Sequence, residues 1–203
     1  MDPTEERTIR VLRPSVIVLC GPAACGKSTF ALRHFRSTQV ISSDMCRKLV
    51  CDDETDQRYH AQTFALLKFL IGQRLPINRL CVVDSTALTH GARKSLLELG
   101  RKYRVRTEIL LFDIALEKCL ERDRTRSHPV GAKVIEEQYK LFKQVRETVR
   151  SEGFDEVIEL RDEDIESVRF EILYRPVNPS NRNDNMKSRG GLSVRSGEPL
   201  PRC

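Results

Sequence analysis

The sequence contains no tryptophan, and only 6% of its 203 residues are aromatic, which argues against an extended platform for stacking nucleobases. Long apolar runs are missing too. The longest, Val16 to Cys20, falls far short of the roughly 20 residues that a membrane-spanning helix needs, so no membrane partner is expected. The opening residues Met1-Asp2-Pro3-Thr4-Glu5-Glu6 lack the basic start and apolar stretch of a secretory signal, and a cytoplasmic protein is expected. None of the seven cysteines (Cys20, Cys25, Cys46, Cys51, Cys81, Cys119, Cys203) forms a C-x-x-C pair or joins a Cys/His cluster at zinc spacing. They are therefore read as thiols, most of them small buried hydrophobes. With 39% hydrophobic and 32% charged residues, the chain is neither collagenous nor disordered throughout.

The length suits one core with appendages rather than two equal domains. From Pro176 the composition shifts to Pro, Gly, Ser, Asn and Arg, and this stretch carries half of the net charge of +6. Residues 176–203 are thus expected to be a disordered basic tail or linker, either weakly attracted to nucleic acid or simply solvated. Residues 1–13 are read as an N-terminal extension and 14–175 as the domain. Within it, Val16–Leu19, Gln39–Ser42, Leu80–Val83, Thr107–Phe112 and Glu156–Leu160 read as short strands. Helical spacing marks about Lys27–Phe35, Gln57–Leu75, Ala92–Tyr103, a stretch from Ala115, and Ile135–Ser151. This alternation predicts an α/β fold, a mostly parallel sheet covered by helices on both faces, with ligands at the carboxyl ends of its strands.

Gly21-Pro22-Ala23-Ala24-Cys25-Gly26-Lys27-Ser28 matches G-x-x-x-x-G-K-[ST] and lies between a predicted strand and a predicted helix. The two glycines permit close backbone approach to phosphates, Lys27 brings a cation to the β- and γ-phosphates, and the Ser28 hydroxyl can ligate Mg²⁺. A P-loop NTPase or kinase fold binding ATP or another NTP follows, with Ala24, Cys25 and Thr29 beside the nucleotide. Cys25, just before the helix, is either a reactive thiol under the helix dipole or merely small enough for the loop.

The loop alone does not separate motor, switch and kinase. Asp44 follows the second strand, where a carboxylate can take a proton from an attacking hydroxyl, and Arg47 one turn later can hold an anionic acceptor. The competing reading makes Asp44 an N-cap and Arg47 a surface charge. Val82-Val83-Asp84 has the apolar-then-acid pattern that organises Mg²⁺, a helix-capping Asp being the alternative. Lys118, Arg122 and Arg126 recur at four-residue spacing before Ser127-His128-Pro129, as in a basic lid that closes over phosphates or, more plainly, a solvated face.

These motifs together resemble the kinase domain of the bacterial polynucleotide kinase-phosphatase, an RNA end-healing enzyme, over about residues 14–172. The likeness rests on the phosphate loop, Ile41-Ser42-Ser43-Asp44, Cys46-Arg47, Asp52-Asp53-Glu54, Asp56-Gln57, Val82-Val83-Asp84 with Thr86, and Glu121-Arg122 with Arg126. It implies transfer of the γ-phosphate of ATP or another NTP to the 5′-hydroxyl of RNA or DNA. By the same resemblance Lys27 and Ser28 hold phosphates and Mg²⁺, Asp44 is the general base, and Arg47 grips the acceptor phosphate. Arg122 lies near the nucleotide base and Arg126 at the transferring phosphate. The sequence departs from the family pattern at Ala87, where related kinases carry Asn, and at His128-Pro129, where they carry a further lid Arg. No metallophosphoesterase or K-x-D-G motif is present, so phosphatase and ligase domains are expected only in a longer polypeptide or a complex, a stand-alone kinase being the equal alternative. Two other functions fit the same residues: a small-metabolite kinase, and a nucleotide-dependent regulatory module without phosphoryl transfer.

Overall fold

The computed structural model describes residues 7–174. Five parallel strands form the central sheet in the order β3-β4-β2-β5-β6: β2 (Ser15–Cys20), β3 (Val40–Ser42), β4 (Cys81–Asp84), β5 (Arg106–Phe112) and β6 (Glu156–Leu160). Strand β2 is buried at every position because it lies in the middle of the sheet, paired to β4 on one side and β5 on the other. Its side chains alternate between two cores. Ile17 and Leu19 join Phe30, Leu110, Phe112 and Ile158 on one face, while Val16, Val18 and Cys20 join Leu67, Ile71, Leu96 and Phe142 on the other. The first face is covered by α1 (Lys27–His34) and α5 (Leu116–Arg124), the second by α2 (Ser43–Cys51), α3 (His60–Arg74), α4 (His90–Tyr103) and the greater part of α6 (Ala132–Thr148). The expected α/β architecture is therefore what the chain adopts.

Element boundaries follow local chemistry. Thr89 caps α4 by accepting from Ala92 N, and Arg104 ends it in the left-handed conformation at φ 53°. Helix α3 starts later than the periodicity predicts, since Gln57–Tyr59 form a 3₁₀ turn capped by the Asp56 carboxylate. A short helix, α7 (Asp164–Ser167), leads into the last described strand.

The main departure from expectation is at the N-terminus. Residues 8–13 were expected within an extension outside the domain; instead β1 (Thr8–Arg13) pairs in parallel with β7 (Arg169–Tyr174) as a separate two-stranded sheet. Ile9 and Val11 are buried in the first core, with Phe170 and Ile172 packed against it, so this ribbon is part of the packed body. Short alternating strands gain their stability from a partner, and here that partner lies 161 residues away. The tail at 176–203 lies outside the described residues. No described helix is long and apolar enough to cross a membrane.

Candidate active site

The chain leaves β2 toward β3 on one side of the sheet and returns through β5 to the other, so the carboxyl end of β2 is the switch point where open α/β sheets bind ligands. The glycine-rich loop occupies that point. Gly21 N donates to Thr86 O at 3.1 Å, tying the loop to the segment after β4. A Cβ on Gly21 would meet Cys25 Sγ at 2.9 Å and Phe112 Cβ at 3.1 Å, and Gly26 adopts φ 97°, so both glycines are needed for this curl. Ala24 takes a positive φ of 59° without being glycine. The Lys27 ammonium lies within the curl, donating to Gly21 O at 3.0 Å and Pro22 O at 2.6 Å. Ser28 and Thr29 are exposed in the first turn of α1, whose amides and dipole favour an anion.

Asp84 ends β4, buried, and burial pushes its carboxyl above the usual range. The hydrogen bond from Ser28 and the charges of Lys27 and Arg126 act the other way, while Asp44 adds to the rise. Lys27, Ser28, Asp44, Asp84 and Arg126 thus share one electrostatic neighbourhood. The Ser28 hydroxyl and the Asp84 carboxylate are hard oxygen donors in that neighbourhood and fit Mg²⁺. Thr89 is the cap of α4, so Asp84 is not spent on capping.

At the second strand, Ser42 is the N-cap of α2, accepting from Asp44 N at 3.2 Å and Met45 N at 3.4 Å. The Asp44 side chain is therefore free of that task, 60% exposed, and receives a 2.7 Å charge-assisted hydrogen bond from Arg47 Nη1. Arg47 is no surface charge. Its side chain is only 5% exposed, and the same Nη1 donates to Glu54 O at 2.9 Å, so the guanidinium joins Asp44 to the loop at 52–56.

Arg122 reaches the phosphate loop, Nη1 donating to Cys25 O at 3.4 Å, and also faces Asp162. Lys118 pairs with Asp162 as well. The segment between α5 and α6 is held in a closed turn by the buried Asp123, whose carboxylate accepts from Val130 N at 3.1 Å and Gly131 N at 3.0 Å. His128 approaches Glu54 at 3.8 Å, bringing the segment between α5 and α6 beside the loop at 52–56. The six described cysteines are free thiols. Cys25 is fully buried, which leaves a reagent no access and supports the small-residue reading; burial pushes the Cys20 and Cys119 thiols up to about 12.

Three contributors escaped the sequence reading. Arg93 is buried beneath the loop after β4 and donates to Ala87 O at 2.9 Å while paired with Glu152. Ala87 sits at φ 47°, a conformation Asn tolerates better than Ala. Asp123 and Gln138 are the others, the latter accepting from Ala23 N at 2.7 Å. Gln138 had a signal, being a polar residue on an otherwise apolar helix face.

A family model described as an AAA domain matches residues 16–149. The chain belongs to this AAA domain family. Among solved structures, this AAA domain is similar to a chain of the Pnkp1/Rnl/Hen1 RNA repair complex, at 19% identity and a TM-score of 0.58, covering 67% of this chain and 46% of that one. It is also similar to Chaetomium thermophilum Kti12 in complex with ADP-AlF3, at 18% identity and TM-score 0.56, covering 72% and 89%. A third is the AvrRxo1-ORF1:ORF2 structure with ATP, at 17% identity and TM-score 0.51, covering 69% and 50%. The chain thus spans about half the length of the RNA repair chain it matches. These likenesses show a P-loop kinase fold. No curated protein matches the sequence.

Proposed function

We propose that this AAA domain is a polynucleotide 5′-hydroxyl kinase, moving the γ-phosphate of ATP or another NTP to the 5′-OH of an RNA or DNA end in end healing. The observation that carries the reading is Asp44, an exposed carboxylate not used as a helix cap, fixed by Arg47 and sharing the electrostatic neighbourhood of Lys27, Asp84 and Arg126. Asp44 accepts the proton of the attacking hydroxyl as its oxygen bonds to the γ-phosphorus and the bond to the departing nucleoside diphosphate breaks. Lys27 and Arg126 offset the charge spread over the transferring phosphoryl group. Arg47 orients Asp44 and lends positive charge to the acceptor side. Mg²⁺ held by Ser28 and Asp84 would neutralise phosphate charge.

The resemblance along Val40–Gln57 supports a nucleic-acid acceptor, as does the open approach to Asp44. Phosphatase and ligase domains, in a longer polypeptide or a complex, would complete such a healing pathway. A second reading, a small hydroxylated metabolite as acceptor, is favoured by one observation: the Arg47 side chain is 5% exposed and already bonded to Asp44 and Glu54 O, so little of its guanidinium is presented to a strand phosphate.

Labelled γ-phosphate transfer to 5′-OH RNA and DNA oligonucleotides, with Asp44→Asn in parallel, tests both. Transfer should fall about 10²–10⁴-fold in the variant while nucleotide binding persists. Binding of the oligonucleotide should weaken with salt, a dependence a neutral metabolite lacks. ATP binding without transfer to either strand refutes the polynucleotide reading.

A further inference from the structure

We infer that Gln138 is a positioning residue that, from the helix following the lid, fixes the phosphate loop in its nucleotide-binding shape and makes loop and lid one mechanical unit. The inference rests on the reading of residues 21–28 as a phosphate site. Helix α6 buries Ile135, Phe142 and Val145, and the buried Val149 follows just past its end, at successive spacings of seven, three and four residues. Gln138 falls on that same stripe, between Ile135 and Phe142, where an apolar residue would ordinarily pack. A polar side chain in such a position is tolerated when it is hydrogen-bonded. Its partner is a backbone amide of the phosphate loop itself: Ala23 N donates to Gln138 Oε1 at 2.7 Å, across 115 residues of chain.

The next residue, Ala24, is held at φ 59°, a conformation that L side chains rarely adopt and that persists only where neighbours enforce it. Gln138 supplies such enforcement on one side. On the other, Arg122 Nη1 donates to Cys25 O at 3.4 Å. The two helices flanking the lid therefore grasp the loop by an amide and a carbonyl two residues apart. Asp123 joins them to each other, because its carboxylate caps Val130 N and Gly131 N immediately before α6. Helix α5, the lid turn, helix α6 and the phosphate loop are thereby closed into a single ring of hydrogen bonds.

The test compares Gln138→Met, which keeps the length and loses the acceptor, with Gln138→Glu, which keeps an acceptor oxygen. Isothermal titration with Mg-ATP measures affinity without needing any acceptor hydroxyl, so a failure of strand transfer leaves this result readable. Gln138→Met should weaken ATP binding roughly 3- to 10-fold, the worth of one lost hydrogen bond. Its melting temperature should stay within about 2 °C of wild type, since the stripe remains filled by a side chain of similar size. Hydrogen exchange over residues 20–27 should quicken in Gln138→Met and remain at the wild-type rate in Gln138→Glu. Wild-type affinity and exchange in Gln138→Met would overturn the inference. So would faster exchange spread over the whole chain with a lowered melting point, the mark of a merely structural role. Absence of ATP binding by the wild-type protein would remove the phosphate-site reading itself.

Discussion

Substituting Glu152 by Ala should strike the support beneath the site harder than any change on the surface. Arg93 Nε and Nη2 bond the two oxygens of Glu152 at 2.8 and 2.5 Å, and the side chains are 3% and 6% exposed. The third nitrogen, Nη1, holds Ala87 O, and the neighbouring Thr86 O receives Gly21 N of the phosphate loop. Glu152→Ala leaves the Arg93 charge buried with a single carbonyl partner. Removing one member of a buried pair costs about 3–5 kcal/mol. At roughly 2–4 °C per kcal/mol for a chain of this size, the melting temperature at pH 7 should fall by about 6–20 °C. Replacing both partners, as Arg93→Met with Glu152→Leu, removes both charges and should recover much of that loss. Calorimetry across pH adds a second reading. Burial pushes the Glu152 carboxyl up, but the Arg93 hydrogen bonds and charge, aided by His90, outweigh it and hold it below the ordinary range. The pair's contribution is therefore present above the unfolded-state pKa and lost as pH falls through the folded one, and Glu152→Ala should lack that acid dependence. A melting temperature within 2 °C of wild type in Glu152→Ala, or a double variant no better than the single one, would refute the reasoning.

Two further outcomes follow from packing on the sheet. A Cβ on Gly100 would lie 1.9 Å from Thr107 Oγ1 and 3.3 Å from its Cβ, so Gly100→Ala should destabilise by about 1–3 kcal/mol in denaturant titration, with Thr107→Ala in the same chain restoring most of it. Glu108 is fully buried on β5 with Oε2 unpartnered, and burial raises its carboxyl above the usual range despite Arg106. Its stabilising protonated form is complete below the unfolded-state pKa and lost as pH rises through the raised folded one, so Glu108→Gln should be about 1 kcal/mol more stable than wild type at pH 7 and equal to it near pH 4. Unfolding curves at the two pH values check this.

The five strands of the central sheet and most of the helices around it, the phosphate loop, Asp44, Asp84 and the basic residues after Ala115 were legible in the sequence because each is a local pattern. A β-rich apolar run, a helical period or a glycine-lysine motif carries its physics within a few residues. Whether Asp44 was a cap or a free carboxylate was not legible, since that turned on which of Ser42, Ser43 and Asp44 the backbone of α2 placed at its entry. Nor was the ribbon of β1 with β7, whose members become strands by meeting each other across most of the chain. The Arg93–Glu152 pair and the bond from Ala23 to Gln138 belong to the same class. An isolated Arg on a helix, or a Glu in the turn after one, reads as a solvated residue, and Gln138 shows only as a polar break in an apolar face; the packing of α4 and α6 against the sheet withdraws these side chains from water and makes their partners matter. The sequence by itself determined the chemistry available at the carboxyl end of β2, because that chemistry is written in contiguous motifs; tertiary structure alone decided which distant side chains hold those motifs in shape, because burial and long-range hydrogen bonding exist only once the chain has closed on itself.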